Sequence, residues 1–116
     1  MLMALPKKYR LSKKDFESAF KKKGIFVKLD FLSFKIVKSS LDLTRFGISC
    51  GTKISKKAVV RNKIKRRLSE ALRLKIPDIK TGYDILVMPT ADIIKKTYQE
   101  VDQLIIKLLK KSKLAD

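Results

Sequence analysis

Between Lys57 and Lys75 an apolar or small side chain returns every third or fourth residue, and most positions between are basic. At the helical angle of about 100° per residue, Val60, Ile64, Leu68, Ala71 and Leu72 fall within an arc of about 120°, the width of a core-facing stripe. The segment therefore predicts a helix over about 57–75 that ends before Pro77 and packs its stripe on a sheet. The opposite arc holds Asn62, Lys63, Lys65, Arg66, Ser69 and Arg73, with Glu70 as its only acid, while Arg61 and Arg67 flank the stripe. Like charges at i,i+4, such as Arg61 with Lys65 and Lys63 with Arg67, each destabilise an isolated helix by about 0.2–0.5 kcal/mol. A merely solvated helix face usually mixes signs. This one does not, and it reads as a surface for phosphates.

The flanking segments supply the sheet. Ser12 is placed to cap a helix over about 13–23, with Asp15 as a weak capping-box partner, Leu11 facing Phe16 as a staple and Gly24 as the stop. From Ile25 to Lys38 the residues are rich in strand formers, and their alternation changes phase near Phe31-Leu32, which predicts a short strand followed by a longer one. A third strand is expected over 45-RFGISCG-51, where Gly47 and Gly51 would let something approach the backbone closely. The nearly continuous apolar run 82-GYDILVM-88 suits a strand buried on both faces. Thr97 and Glu100 form a capping box opening a last helix whose stripe is Val101, Leu104, Ile105, Leu108 and Leu109. The resulting order is αβββαβα, a single α+β domain over 1–116 with helices packed on one small sheet.

Charge bears on the partner. The chain has 116 residues, with 29 Lys+Arg against 11 Asp+Glu, a formal net charge of +18. Self-repulsion on that scale destabilises the compact state, and a polyanion would offset it. The excess is concentrated: residues 1–28 carry nine basic and two acidic side chains, and 53–75 carry ten and one. The chain has no His and one Cys, Cys50, so the usual zinc ligand sets, Ser/His/Asp and Cys/His nucleophile systems and an internal disulfide are all out of reach. Its carboxylates stand singly among lysines rather than in pairs, which weakens an acid–base site, and there is no Gly-rich phosphate loop. No apolar run approaches the roughly 18–20 residues of a membrane span, and the N-terminus does not read as a signal peptide. The expectation is a soluble, cytoplasmic binding protein with no catalytic residues of its own.

Two readings of the aromatics stay open at this point. Phe16 and Phe20, at i,i+4, suit core packing. Leu32, Phe34 and Ile36 share one strand face, which would stack unpaired bases if the helices leave it uncovered.

At 47-GISCGTKISKKAVVRNKIKRRLSEAL-72 the chain resembles the protein subunit of bacterial ribonuclease P. That family's signature helix carries Arg-Asn-Arg followed by Ile-Lys-Arg, which Arg61-Asn62-Lys63-Ile64-Lys65-Arg66 reproduces in all but one residue. Arg10-Leu11, Asp15-Phe16, Phe20 and Tyr83-Asp84 are similar to the family in type and spacing. The resemblance implies an αβββαβα fold with a small mixed sheet and a left-handed βαβ crossover. It implies that a partner RNA carries the active site and most of the Mg2+ ions, and removes the 5′ leader from precursor tRNA, while the protein binds. By similarity, Lys53, Lys56, Lys57, Arg61, Asn62, Lys63, Lys65 and Arg66 contact the catalytic RNA. Phe16, Phe20, Leu32 and Phe34 match the apolar positions of the family's leader-binding cleft, between the first helix and the sheet. The implied assembly is one RNA and one protein, the protein a monomer. Lys63 stands where the family usually has Arg, which keeps charge without the planar fork. Arg67 replaces a usually apolar residue, Thr52 a common Lys and Ser69 a common Arg.

Two rivals follow from the same residues. One is a ribosomal or RNA-chaperone protein of this fold. The other is a membrane-surface protein with its basic helix on anionic lipid, which requires exposed bulky apolar residues beside the charge.

Overall fold

The computed structural model describes residues 5–115. Three helices, α1 (Lys13–Lys21), α2 (Ala58–Arg73) and α3 (Tyr98–Lys111), combine with four strands, β1 (Ile25–Leu29), β2 (Leu32–Lys38), β3 (Arg45–Ile48) and β4 (Tyr83–Pro89). The strands form one mixed sheet in the order β1-β2-β4-β3. β1 and β2 are an antiparallel hairpin, β2 and β4 are antiparallel, and β3 runs parallel to β4, to which it is joined through α2. The phase change near Phe31 is the hairpin turn: Leu29 pairs with Leu32, and Asp30 takes a left-handed conformation with φ 52°.

Local signals account for most of the boundaries. The Ser12 hydroxyl accepts the Asp15 amide at 3.1 Å, the N-cap expected for α1. The Thr97–Glu100 capping box of α3 is complete, with both reciprocal bonds formed. Helix α1 stops at Lys21 rather than Lys23, and Gly24 serves a different purpose from a helix stop. A Cβ there would lie 2.7 Å from the Ile36 carbonyl oxygen, so only glycine lets the chain pass that close to β2.

The sheet is covered on both faces. Ile64, Leu68, Ala71 and Leu72 of α2 and Val101, Leu104, Ile105 and Leu108 of α3 pack with Val27, Leu32, Phe34, Ile36, Ile85 and Val87 on one face. On the other, Ala19 of α1 packs with Val37 and Leu86, flanked by Leu11 and Phe16. The two faces together explain the continuous apolar run of β4, whose Ile85 and Val87 point one way and Leu86 the other. Full burial contributes about 1.5–3 kcal/mol for each large apolar side chain, so the α2/α3 face dominates stability.

Helix α1 is tied to the sheet by charge as well. Arg45 on β3 donates Nε and Nη2 to the two carboxylate oxygens of Asp84, each at 3.0 Å, and Nη1 to Asp15 of α1 at 3.0 Å. Hydrogen bonding to Asp84, with attraction from Asp84 and Asp15, outweighs burial and raises the Arg45 pKa above its ordinary value. A planar guanidinium with one forked contact and one single contact fixes direction as well as distance.

Candidate nucleic-acid interface

The basic residues read from the sequence gather at the start of α2 and in the loop before it. Lys53, Lys56, Lys57, Asn62, Lys63, Lys65 and Arg66 are all exposed. Arg61 differs: it is half-buried and donates Nη1 to the Ser55 carbonyl at 2.9 Å, holding the loop against the helix's first turn. Lys57, the N-cap residue, offers no side-chain cap, and no acid occupies the first turn of α2. Unsatisfied amides and several cations therefore meet at the positive end of a helix dipole, where an anion relieves both. Val59, 78% exposed amid these charges, is a large apolar side chain that the periodicity did not single out.

Cys50 lies beneath this region, its Sγ 3.8 Å from the Arg61 carbonyl oxygen. Burial pushes its thiol pKa up, against the pull of Lys65 and Arg61, so it is a packing residue rather than a nucleophile. Arg67 leaves the strip, donating Nη1 to the Lys96 carbonyl at 3.2 Å and so clamping α2 to the segment before α3.

A groove of about 570 Å³ opens where α2 faces the β3 edge, lined by Arg10, Leu11, Gly47, Asn62, Lys65, Arg66 and Ser69 among others. Arg10 is an addition to the candidates. It comes beside α2 because the N-terminal segment runs along β3, with an Arg10–Phe46 bridge and the Leu11 amide donating to the Phe46 carbonyl at 2.9 Å. That pairing spans more than thirty residues, so only the surplus of basic residues in 1–28 hinted at it.

A second groove, about 500 Å³, continues the first between α1 and β3; it shares Leu11, Gly47, Ile48 and Lys65 and adds Ser12, Lys13, Phe16, Glu17 and Ser49. Phe16 rests on bare backbone, since a Cβ at Gly47 would sit 2.5 Å from its ring. Its ring stacks on Phe20 with centroids 6.4 Å apart and planes 18° from parallel. Phe16 therefore lines the cleft from α1, with Phe20 stacked against it further along the helix.

Leu32 and Phe34 do not join them, and the expectation for these two is corrected. Both are 0% exposed and point to the opposite face of the sheet, into the α2/α3 core. Side chains alternate along a strand, so the residues of β2 on the α1 side are Ser33, Lys35 and Val37. Ser33 pairs with Met88 and Lys35 with Phe26 across the neighbouring strands. Lys35, 5% exposed, donates Nζ to the Phe20 carbonyl at 2.6 Å, and its ammonium lies 5.4 Å from the ring centroids of both Phe20 and Phe26.

A basic helix-and-loop strip thus runs toward a cleft lined by Phe16 on a small mixed sheet, and a protein-family model matches nearly the whole chain that builds it. The model of that family, described as Ribonuclease P, matches residues 5–113. The chain belongs to the ribonuclease P protein family. Its relatives include a ribonuclease P protein component from Picosynechococcus sp., 40% identical over 86 residues and covering 73% of each chain. Another, from Alkaliphilus oremlandii, is 35% identical over 101 residues, 86% of each chain. Among solved structures, the RNase P protein from Staphylococcus aureus superposes with a TM-score of 0.82 at 28% identity, covering 93% of this chain and 98% of that one. The RNase P protein from Thermotoga maritima gives 0.78 at 30% identity, covering 88% and 96%. As a ribonuclease P protein component, the chain is part of an endoribonuclease holoenzyme that processes tRNA. A ribosomal or chaperone role on the same fold is not favoured. Among the described residues, no helix is long and apolar enough to cross a membrane.

Proposed function

We propose that the α2 strip binds the catalytic RNA of ribonuclease P while the α1 cleft holds the 5′ leader of precursor tRNA. The observation that carries this reading is the continuity of the two grooves, which share Leu11, Gly47, Ile48 and Lys65. One RNA chain bound to the strip and another in the cleft would meet at Lys65, so the protein would hold the leader beside the RNA that cuts it. In this reading Lys53, Lys56, Lys57, Arg61, Lys63, Lys65 and Arg66 neutralise phosphates, and Asn62 adds a neutral contact that both donates and accepts. Arg10 and Lys13 extend the same field toward the cleft. Phe16 and Phe20 take bases by stacking, which tolerates any leader sequence because every base has a π-face.

The chemistry falls to the RNA. Of the protein's carboxylates, Asp15 and Asp84 are engaged by Arg45, which leaves them poorly placed to hold Mg2+. Mg2+ would be held mainly by the RNA, and the protein's contribution would be to lower phosphate repulsion and position the substrate. The assembly is one protein monomer with one RNA, in the cytoplasm.

Reconstitution tests this. Adding the protein to ribonuclease P RNA at low Mg2+ should accelerate leader removal from precursor tRNA, and an unchanged rate where the RNA alone is slow would refute the proposal. An Arg66→Ala protein should need a higher concentration for half-maximal effect, while Phe16→Ala should act only on substrates that carry a leader.

A further inference from the structure

At the far end of α1, past the Phe16–Phe20 stack, lies strand β1, an edge strand that pairs only with β2. Two large rings are uncovered there: Phe26 is 63% exposed and Phe20 54%. Each faces the ammonium of Lys35, which is itself buried. Among the described residues no carboxylate lies within ion-pair distance of that ammonium. The Phe20 carbonyl takes one of its three donors. A cation held by one carbonyl and two ring faces carries a desolvation cost that an anion would offset.

Basic side chains predominate around the two rings. Lys21, Lys22 and Lys23 are exposed immediately after Phe20, and exposed Lys28 lies on the same face of β1 as Phe26. No acid occurs anywhere in 18–28. Uncovered aromatic rings within a field of lysines, joined to the cleft residue Phe16 through the stack of Phe20 on its ring, suit single-stranded nucleic acid, which offers a flat face and a negative charge at every unit. A second copy of this chain is a poor occupant, since both would bring a net charge of +18.

We infer that Phe20, Phe26 and Lys35 form a base-stacking station at the β1 edge, which takes a nucleotide of single-stranded leader beyond the part held along α1. The phosphates on either side are drawn to Lys28 and to Lys21–Lys23. This inference rests on the reading of the α1 cleft as the leader site. Its consequence is that long leaders gain affinity from the protein that short leaders do not.

The test uses the reconstituted holoenzyme with precursor tRNAs whose leaders are about 4 or about 15 nucleotides long, within the span of single-strand sites on small domains. Phe26→Ala should weaken binding of the long-leader substrate roughly tenfold, leave the short-leader substrate unchanged and leave the salt dependence unaltered, because stacking releases no counterions. Phe26→Tyr should restore the long-leader affinity. Ile25→Ala is the control: Ile25 is 67% exposed but points to the opposite face, so both substrates should bind normally. An unchanged long-leader affinity in Phe26→Ala, an equal loss on both leaders, or a matching loss in Ile25→Ala would overturn the station. So would Phe26-dependent sedimentation with anionic vesicles alongside unchanged long-leader binding, which would assign the patch to a lipid surface. Phe16→Ala separates the two readings. If it weakens both substrates while Phe26→Ala weakens neither, only the station fails; if neither variant matters, the cleft is not the leader site.

Discussion

Gly47→Ala tests whether a single backbone contact sets the geometry of the α1 cleft proposed to hold the leader. The added methyl would lie 2.5 Å from Phe16 Cδ2 and 3.1 Å from both Phe16 Cε2 and Leu11 Cδ1. These are ring and branch atoms close to their own backbones, so relief requires Phe16 to leave its rotamer or α1 to lift from β3. Overpacking of this kind costs about 1–3 kcal/mol. For a chain of this size that lowers the thermal midpoint by about 4–12 °C. Either response also breaks the Phe16–Phe20 stack, so affinity for leader-bearing substrate should fall by about 1–3 kcal/mol, while affinity for the catalytic RNA, carried by α2, stays within about twofold. Removing the ring removes the collision. In a double-mutant cycle by urea unfolding, Gly47→Ala should therefore cost at least about 1 kcal/mol less in a Phe16→Ala background. Additive effects, or a Gly47→Ala protein with normal stability and normal leader discrimination, would refute the argument that this contact fixes the α1 wall.

Three further outcomes follow from burial and charge. Phe34→Ala should lower the unfolding free energy by about 3–5 kcal/mol, read from the urea midpoint, because Phe34 is 0% exposed; a loss below about 1 kcal/mol would return it to the cleft. Arg66→Ala should reduce the slope of log affinity against log salt by about 0.7–0.9 with little change in stability, whereas Arg61→Ala should also destabilise the fold by freeing the Ser55 carbonyl. Glu100 has its pKa lowered below the ordinary 4.5, chiefly by hydrogen bonding from the Thr97 backbone. Its contribution to stability is present above its unfolded pKa and lost as pH falls through the folded value, so Glu100→Gln should flatten the acid limb of the thermal midpoint against pH. An identical limb in both proteins would mean the capping box carries no charge dependence.

What could be read from the sequence was whatever sits within one turn of helix. The α2 stripe, the Ser12 cap and the Thr97–Glu100 box are all contacts between residues three or four apart, and all appear as expected. The basic strip was legible for the same reason, because like charges that repel along one helix are visible without knowing what lies opposite. The cleft was not. Alternation correctly put Leu32, Phe34 and Ile36 on one face of β2, but period two cannot say which helix covers that face, and along β2 Phe34, Lys35, Ile36 and Val37 are buried in succession. Lys35 reads as a solvent-facing residue and is instead capped by two rings from α1 and β1.

The decisive constraint on α1 is longer in range still. Arg45 reaches Asp15, 30 residues away, and Asp84, 39 away, and two positions further along β3 Gly47 leaves the space that Phe16 fills. Arg45 is engaged by two carboxylates and Gly47 has no side chain, so neither is itself offered to RNA. Yet together they set the angle and distance at which Phe16 and Phe20 stand over the sheet, so leader recognition should be as sensitive to these two positions of one edge strand as to the aromatic rings themselves.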